Sequence, residues 1–192
     1  TPLYSSAASD VYKRQVHGQI GYLPQDPRSG DPKELVRTRI LNARGLGDIA
    51  QRMAKATVDM ASTDPKIHDA AMKKYARAEE EFNAAGGYAA EAEASSIASN
   101  LGISETALNQ ELGTLSGGQR RRIELARILF SNAETMLLDE PTNHLDADRV
   151  VWLRNFLKNY SGGLIVISHD VDLVEETVNR VCLLYTSDAA DE

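Results

Sequence analysis

Two short stretches decide the fold: Leu115-Ser116-Gly117-Gly118-Gln119 and, further along, Met136-Leu137-Leu138-Asp139-Glu140-Pro141. The first is a glycine turn that opens a helix, and periodic apolar residues extend this helix to about Phe130. The N–H groups and dipole at the start of such a helix attract anions. The second stretch is an apolar strand ending in two carboxylates, at the sheet edge where α/β proteins bind ligands. Together the two stretches predict a nucleotide-phosphate site.

The two adjacent carboxylates point to different sides of the strand end, so we expect them to have different functions. Asp139 is a hard oxygen ligand suited to Mg²⁺. Glu140 is suited to polarise an attacking water molecule. Each stretch also has a plainer interpretation, as an ordinary helix cap and as two solvated acids before Pro141. Their occurrence together favours the phosphate site.

A second apolar strand, Ile165-Val166-Ile167-Ser168, leads directly to His169. Parallel strands end at the same sheet edge, so we expect His169 to lie near Glu140, where an imidazole can meet phosphate. The alternative is a structural histidine at a strand end. A loop and short strand within residues 16–25 lead to Gln25, and a glutamine after proline is most often a loop residue.

These motifs resemble those of the ATP-binding cassette ATPases. Leu115 to Gln119 match the signature motif, and Met136 to Glu140 match the Walker B strand. The resemblance implies that Gln25 is the Q-loop glutamine, touching Mg²⁺ and the water, that Asp146 lies in the D-loop, and that His169 is the switch histidine. It further implies ATP and Mg²⁺ as cofactors and two cassettes that enclose two ATP molecules. In that arrangement the ATP-binding residues are Leu115, Ser116, Gly117, Gly118, Gln119 and Asp146, and the signature serves a nucleotide held by the other cassette.

The phosphate-binding loop G-x-x-x-x-G-K-[ST] does not occur in the 192 residues. We therefore expect a fragment of a larger ATPase, and we expect the isolated chain to hydrolyse ATP poorly. The expected fold class is α/β, with a parallel-sheet P-loop NTPase-type core into which a helical subdomain or arm is inserted.

The string Pro141-Thr142-Asn143-His144-Leu145-Asp146 is similar to that of ABC-F proteins, which carry two cassettes on one chain. The run Arg120-Arg121-Arg122 and the long helical middle resemble the first ABC-F cassette. This resemblance implies the ribosome as a partner, although residues 45–100 hold six basic against nine acidic residues and so no basic surplus. Two alternatives remain open: the ATPase subunit of a membrane transporter, and a non-catalytic interaction module.

The chain divides into five predicted segments. Residues 16–33 form the Q-loop part of the core, 34–114 a helical subdomain, and 115–181 the signature, Walker B, D-loop and switch-histidine part. Residues 1–15 and 182–192 look like tails foreign to the domain, because both contain similar Ser-Ala-Asp fragments.

Within the helical middle, one helix should begin at Asp64-Pro65 and end at Gly86-Gly87. Its apolar residues form a narrow seam, which favours an antiparallel hairpin that projects from the cassette over an ordinary packed subdomain. The members of this seam are Ile67, Ala71, Tyr75, Ala78, Phe82 and Ala85. A further strand is expected at Val178–Val181.

Composition sets limits on the class of protein. An apolar content of 42% is enough for a folded domain, and no stretch is long and apolar enough to span a bilayer. The single cysteine, Cys182, excludes an internal disulfide and fits a reducing compartment, so we expect a cytoplasmic protein without a signal peptide. A net charge of −7 disfavours broad nucleic-acid binding.

Overall fold

The computed structural model describes residues 18–23 and 30–182. Three parallel strands lie in the order β1 (Ile20–Leu23), β2 (Thr135–Asp139) and β3 (Gly163–Ile167). The helices are α1 (Val36–Leu41), α2 (Gly47–Asp59), α3 (Pro65–Ala84), α4 (Gly87–Asn100), α5 (Glu105–Leu108), α6 (Gly117–Phe130), α7 (Ala147–Lys158) and α8 (Val171–Thr177). Short 3-10 turns occupy Asn42–Arg44 and Leu112–Thr114.

One face of the sheet is buried against helices. Leu23, Met136 and Leu138 are at most 2% exposed and belong to one hydrophobic core with the apolar side of α6. Gly21 allows this close packing, because a Cβ at its position would lie 2.9 Å from the Cγ2 of Ile128. Helix α6 is therefore fixed against the strands, and its first turn is held near their carboxyl ends.

The opposite face of the sheet carries apolar side chains that stay exposed. Tyr22, Ile165 and Ile167 are 55%, 61% and 60% exposed. Tyr22 and Ile165 lie on the same face of the sheet, on either side of β2, since both align with Leu137 in the parallel register. The described residues thus form a sheet that is covered on one side.

Helices α2 and α3 form an antiparallel pair within the helical middle. Only residues 60–64 connect α2 to α3, and Arg52, in the first half of α2, forms an ion pair with Glu81 near the end of α3, so the two helices run side by side in opposite directions. The buried alanines of the pair, Ala56, Ala71 and Ala78, lie outside the main core, whereas Phe82 belongs to it. The pair therefore has an interface of its own and joins the core at one end.

The sequence predicted the limits of α3 correctly. Asp64 accepts a hydrogen bond from the Lys66 N–H at 2.9 Å and caps the helix, and Gly86 adopts a left-handed backbone, φ +69°, after its last turn. The predicted seam was too long, because Ile67 is 48% exposed and Ala85 is also exposed. A helix of 20 residues is longer than its 13-residue partner, so α2 cannot cover both of its ends.

The strand predicted at Val178–Val181 was wrong, because these residues belong to no strand. Val178 has an extended backbone, with φ −113° and ψ 149°, but its N–H donates to the carbonyl of Val174. An extended segment becomes a strand only when it has a neighbouring strand to pair with.

Candidate functional site

The site is built at the carboxyl edge of β2 and β3. Asp139 is aligned with Ile167 in the parallel pair, and the N–H of Glu140 donates to the carbonyl of Ile167 at 2.8 Å. This register carries Glu140 and the residues after Ile167 to the same edge. The prediction that His169 lies near Glu140 follows from this geometry and is confirmed.

Glu140 and His169 contact each other directly. The distance from His169 Nδ1 to Glu140 Oε2 is 2.8 Å, and the tautomer that carries its proton on Nδ1 donates to the carboxylate. The Glu140 side chain is 22% exposed and the His169 side chain 75% exposed. This contact orients the carboxylate, and both groups remain accessible to a small molecule such as water.

The backbone of Glu140 is unusual. Its φ is +47°, in the left-handed region that non-glycine residues seldom adopt. Residues in such conformations persist when their surroundings hold them, and they often occur at functional sites. His144, four residues later, also has a positive φ, +68°. Between them the N–H of Asn143 donates to the Glu140 carbonyl at 3.2 Å, so the chain folds back over the strand end.

Arg121 of α6 forms hydrogen bonds with the backbone at the end of β2. Its side chain is buried, and Nη2 donates to the carbonyl oxygens of Asp139 at 2.6 Å and Glu140 at 3.2 Å. The run Arg120-Arg121-Arg122 carried no predicted role at this strand end. The signal was available, because Arg121 precedes Leu125 and Ile128 by four and seven residues and so shares the buried face of α6.

The signature segment forms a capped turn at the start of α6. The Oγ of Ser116 accepts from the Gln119 N–H at 3.3 Å, and the Ser116 N–H donates to the Gln119 side chain at 2.9 Å. Leu115 is buried and anchors the turn, while Ser116 and Gly117 are exposed. Helix geometry leaves the N–H groups of Gly117 and Gly118 without an intrahelical acceptor.

Gly118 brings the signature turn close to the loop that follows β2. A Cβ at Gly118 would lie 3.8 Å from the side chain of His144. The signature turn therefore packs against the loop that follows β2. The assignment of Leu115 to Gln119 to ATP binding stays a prediction.

Asp146 has a structural role in this conformation. Its Oδ1 accepts from the Arg149 N–H at 3.1 Å and caps α7, and its second oxygen forms an ion pair with the Arg149 guanidinium. Contact with nucleotide or with an opposite cassette would compete with these two bonds. Its assignment to the ATP site also stays a prediction.

Gln25 lies outside the described residues, so its predicted roles with Mg²⁺ and water stay predictions. Leu23 is aligned with Leu138, and the chain therefore leaves β1 at the same sheet edge that carries Asp139 and Glu140.

A family comparison bears on this arrangement. The profile described as "ABC transporter" matches residues 5–143, a range that contains both the signature turn and the Asp139–Glu140 pair. The chain belongs to the ABC transporter family.

Two curated relatives illustrate the membership. The tylosin resistance ATP-binding protein TlrC of Streptomyces fradiae is 38% identical over 170 residues, which is 85% of this chain and 31% of TlrC. The energy-dependent translational throttle protein EttA of Escherichia coli O6:H1 is 35% identical over 153 residues, 79% of this chain and 27% of EttA. The chain thus spans less than a third of each relative's length.

Among solved structures, the ATP-binding subunit of an ABC transporter has a TM-score of 0.53 with 14% identity. The match covers 83% of this chain and 52% of that subunit, and it concerns the fold alone. The predicted fold class is confirmed: an α/β domain with a parallel sheet, of the type found in ABC ATPases. Within the described part of the chain, no helix is both long and apolar enough to cross a membrane.

The residues of this ABC domain fit a magnesium nucleotide. Residues 18–23 and 30–182 hold no group of three or more His, Cys, Asp or Glu side chains that could enclose a metal ion. Mg²⁺ in nucleotide enzymes typically takes one or two carboxylates together with substrate phosphates. Asp139, half-buried at the strand end, offers one such carboxylate. A site that is completed by the phosphates of ATP needs no larger cluster.

Proposed function

We propose that this chain is part of an ATPase that hydrolyses ATP at the interface of two cassettes. The carrying observation is the 2.8 Å contact between Glu140 and His169 at the carboxyl edge of the sheet, directly after Asp139. A carboxylate oriented by an imidazole beside a metal-binding carboxylate suits the attack of water on a phosphoryl group.

In this proposal Glu140 accepts the proton of the attacking water as the water oxygen bonds to the γ-phosphorus. The bond from that phosphorus to the bridging oxygen breaks, and ADP and phosphate leave. His169, with most of its surface exposed, orients Glu140 and contacts the γ-phosphate. Asp139 would hold Mg²⁺, directly or through water, and the ion would neutralise phosphate charge. Gln25 would touch the same ion and water.

The signature turn would serve the nucleotide of a second cassette. The N–H groups of Gly117 and Gly118, which have no intrahelical acceptor, together with Ser116, offer donors to a phosphate that arrives from outside the chain. Since the loop G-x-x-x-x-G-K-[ST] does not occur in these 192 residues, we propose that they form part of a longer protein and turn over little ATP alone.

We further propose that this protein is of the ABC-F type, with its second cassette on the same chain and a ribosome as partner. The Pro141–Asp146 string and the hairpin of α2 and α3 support this reading. So do the relatives, one of which is named a translational throttle protein. A cytoplasmic location accompanies the proposal. The alternative, an ATPase subunit of a transporter, is favoured by the description of the matching family.

Replacement of Glu140 by glutamine tests the catalytic proposal in the full-length protein. Glutamine keeps the shape of the side chain but cannot accept the water proton. We expect the rate of phosphate release to fall about 10²–10⁴-fold, the usual contribution of a general base. ATP binding should persist, so the variant should accumulate with ATP bound and its cassettes closed.

Glu175→Gln is the matched control, because it makes the same chemical change at an exposed position of α8. Normal turnover by Glu140→Gln would refute the role of Glu140. Turnover that needs a membrane partner rather than ribosomes would favour the transporter alternative.

A further inference from the structure

The side chain of Arg121 donates hydrogen bonds to the backbone on both sides of the Glu140 α-carbon. The carbonyl of Asp139 precedes this residue and the carbonyl of Glu140 follows it, and Arg121 Nη2 donates to both, at 2.6 and 3.2 Å. The arginine is 6% exposed. A buried guanidinium requires hydrogen-bond acceptors, and here two consecutive carbonyls supply them.

These two bonds act on the backbone angles that aim the Glu140 side chain. With φ at +47°, Glu140 is held in a conformation that it would leave if its surroundings allowed. Rotation of the peptide groups that flank Glu140 would move the carbonyls of Asp139 and Glu140 away from Arg121. It would also move the carboxylate away from His169 Nδ1, at 2.8 Å.

Arg121 lies on α6, two residues after Gln119 and therefore in the first turns of the same helix as the signature segment. A movement of α6 against the sheet would change the distance between its guanidinium and the two carbonyls. The geometry thus connects the turn that would meet an external nucleotide with the carboxylate that would activate water.

We propose that Arg121 is a positioning residue for ATP hydrolysis, which holds Glu140 in its left-handed backbone and makes its aim depend on the position of α6. This inference rests on the proposed function. A purely structural role, in which Arg121 merely fastens α6 to β2, makes a different prediction. It would lower stability without any specific dependence on Glu140.

The test uses the full-length protein and the variants Arg121→Met and Arg121→Lys. Methionine keeps much of the length and removes every donor, and lysine keeps the charge and can reach one carbonyl. We expect kcat to fall by up to about 10²-fold in Arg121→Met, as for a small misplacement of a catalytic group. The KM for ATP should stay nearly unchanged, and Arg121→Lys should be intermediate.

Arg122→Met is the matched control on the same helix. Arg122 is half-buried and its guanidinium donates to the carbonyls of Leu101 and Gly102 at 3.4 and 3.5 Å, away from β2. We expect it to lose thermal stability comparably to Arg121→Met while keeping its kcat.

A double-mutant cycle gives the decisive readout. If Arg121 acts through Glu140, then Arg121→Met should change the residual rate of Glu140→Gln by no more than about twofold, because the group it positions is already lost. Equal losses of rate in both backgrounds, equal losses in the Arg122 control, or a normal kcat in Arg121→Met would each overturn the proposal. Should Arg121→Met fail to fold, Arg121→Lys is put through the same cycle.

Failure of the proposed function would show differently. In that case Glu140→Gln itself would retain normal turnover, whatever residue stands at position 121. A dead Glu140→Gln with a fully active Arg121→Met would contradict the positioning role alone.

Discussion

Ser116 caps a helix and, in the proposed function, would also meet a phosphate. Its hydroxyl caps α6 by accepting from the Gln119 N–H, and its exposed position places it where the proposed external phosphate would arrive. Ser116→Ala removes the hydroxyl, and with it both the cap and the proposed phosphate donor, and we expect the lost cap to cost about 1 kcal/mol of stability.

Ser116→Arg additionally places bulk and charge on the face of the signature turn. In the full-length protein we expect ATPase activity to fall on the order of 10²-fold, because the second cassette cannot close on the turn. Steady-state phosphate release and cassette dimerisation with ATP are the measurements. Ser104→Arg is the control, since Ser104 caps α5 in the same way, with a bond of 3.1 Å to the Ala107 N–H. Normal activity of Ser116→Arg would refute the contact.

The sequence was sufficient to bring Glu140 and His169 together, because both follow apolar strands and parallel strands end at one edge. It was not sufficient for the backbone of Glu140. A left-handed conformation at a glutamate has no local signal, since it depends on the carbonyl contacts with Arg121 and on the turn back at His144. Those contacts join parts of the chain that only the fold brings close.

Among the helices, an ionic cluster fastens α1 to α6. Glu124 is 2% exposed and accepts hydrogen bonds from Arg39 Nε at 2.8 Å and Arg127 Nε at 2.9 Å. Burial alone would lower the pKa of Arg39, but its hydrogen bond to Glu124 and the charges of Glu124 and Glu34 outweigh burial and raise it. Arg39 therefore stays charged, and its ion pair with Glu124 connects α1 of the helical middle to α6 of the core.

Removal of the central carboxylate should be costly. In Glu124→Ala two guanidinium groups lose their shared partner, and we expect the free energy of unfolding to fall by about 3–5 kcal/mol. Urea unfolding followed by circular dichroism measures this. Glu93→Ala is the control, because Glu93 pairs with Arg44 at the surface, where its side chain is 48% exposed, and should cost about 1 kcal/mol or less. Similar losses for both variants would contradict this account of the cluster.

Helix limits were predictable where local chemistry sets them, and tertiary contacts decided the rest. Asp64-Pro65 and Gly86 mark the ends of α3 through capping and a left-handed turn. The outer seam residue Ile67 is exposed because α2 is the shorter helix, a comparison that periodicity within one helix does not make. Val178–Val181 was predicted as a strand, but it pairs with no strand among residues 18–23 and 30–182.

For the molecule as a whole, the exposed face of the sheet has consequences for handling. Ile165 and Ile167 are each at least 60% exposed on the same face of the sheet as Tyr22, and exposed apolar surface of this kind promotes association. In the 192-residue chain, Ile165→Thr with Ile167→Thr should reduce binding of an apolar dye and delay aggregation. The free energy of unfolding should change by about 0.5 kcal/mol or less per site, as at other surface positions.

Val166→Thr is the control for this pair. Val166 lies between them on the opposite face and packs against the core, so threonine there should destabilise the fold by about 1–3 kcal/mol without reducing dye binding. Unchanged aggregation of the double variant would show that this face is not the source of association.

Because Glu140 has a left-handed backbone, the substitution that would raise thermal stability here would also lower the rate of ATP hydrolysis. Such a conformation costs a non-glycine residue about 1–3 kcal/mol, and glycine would adopt it without that strain. A library selected only for survival at high temperature should therefore enrich glycine at position 140 and lose turnover. A library selected for turnover should restore glutamate at the expense of melting temperature. The residue found at position 140 would therefore show whether a population of variants had been selected for thermal stability or for turnover.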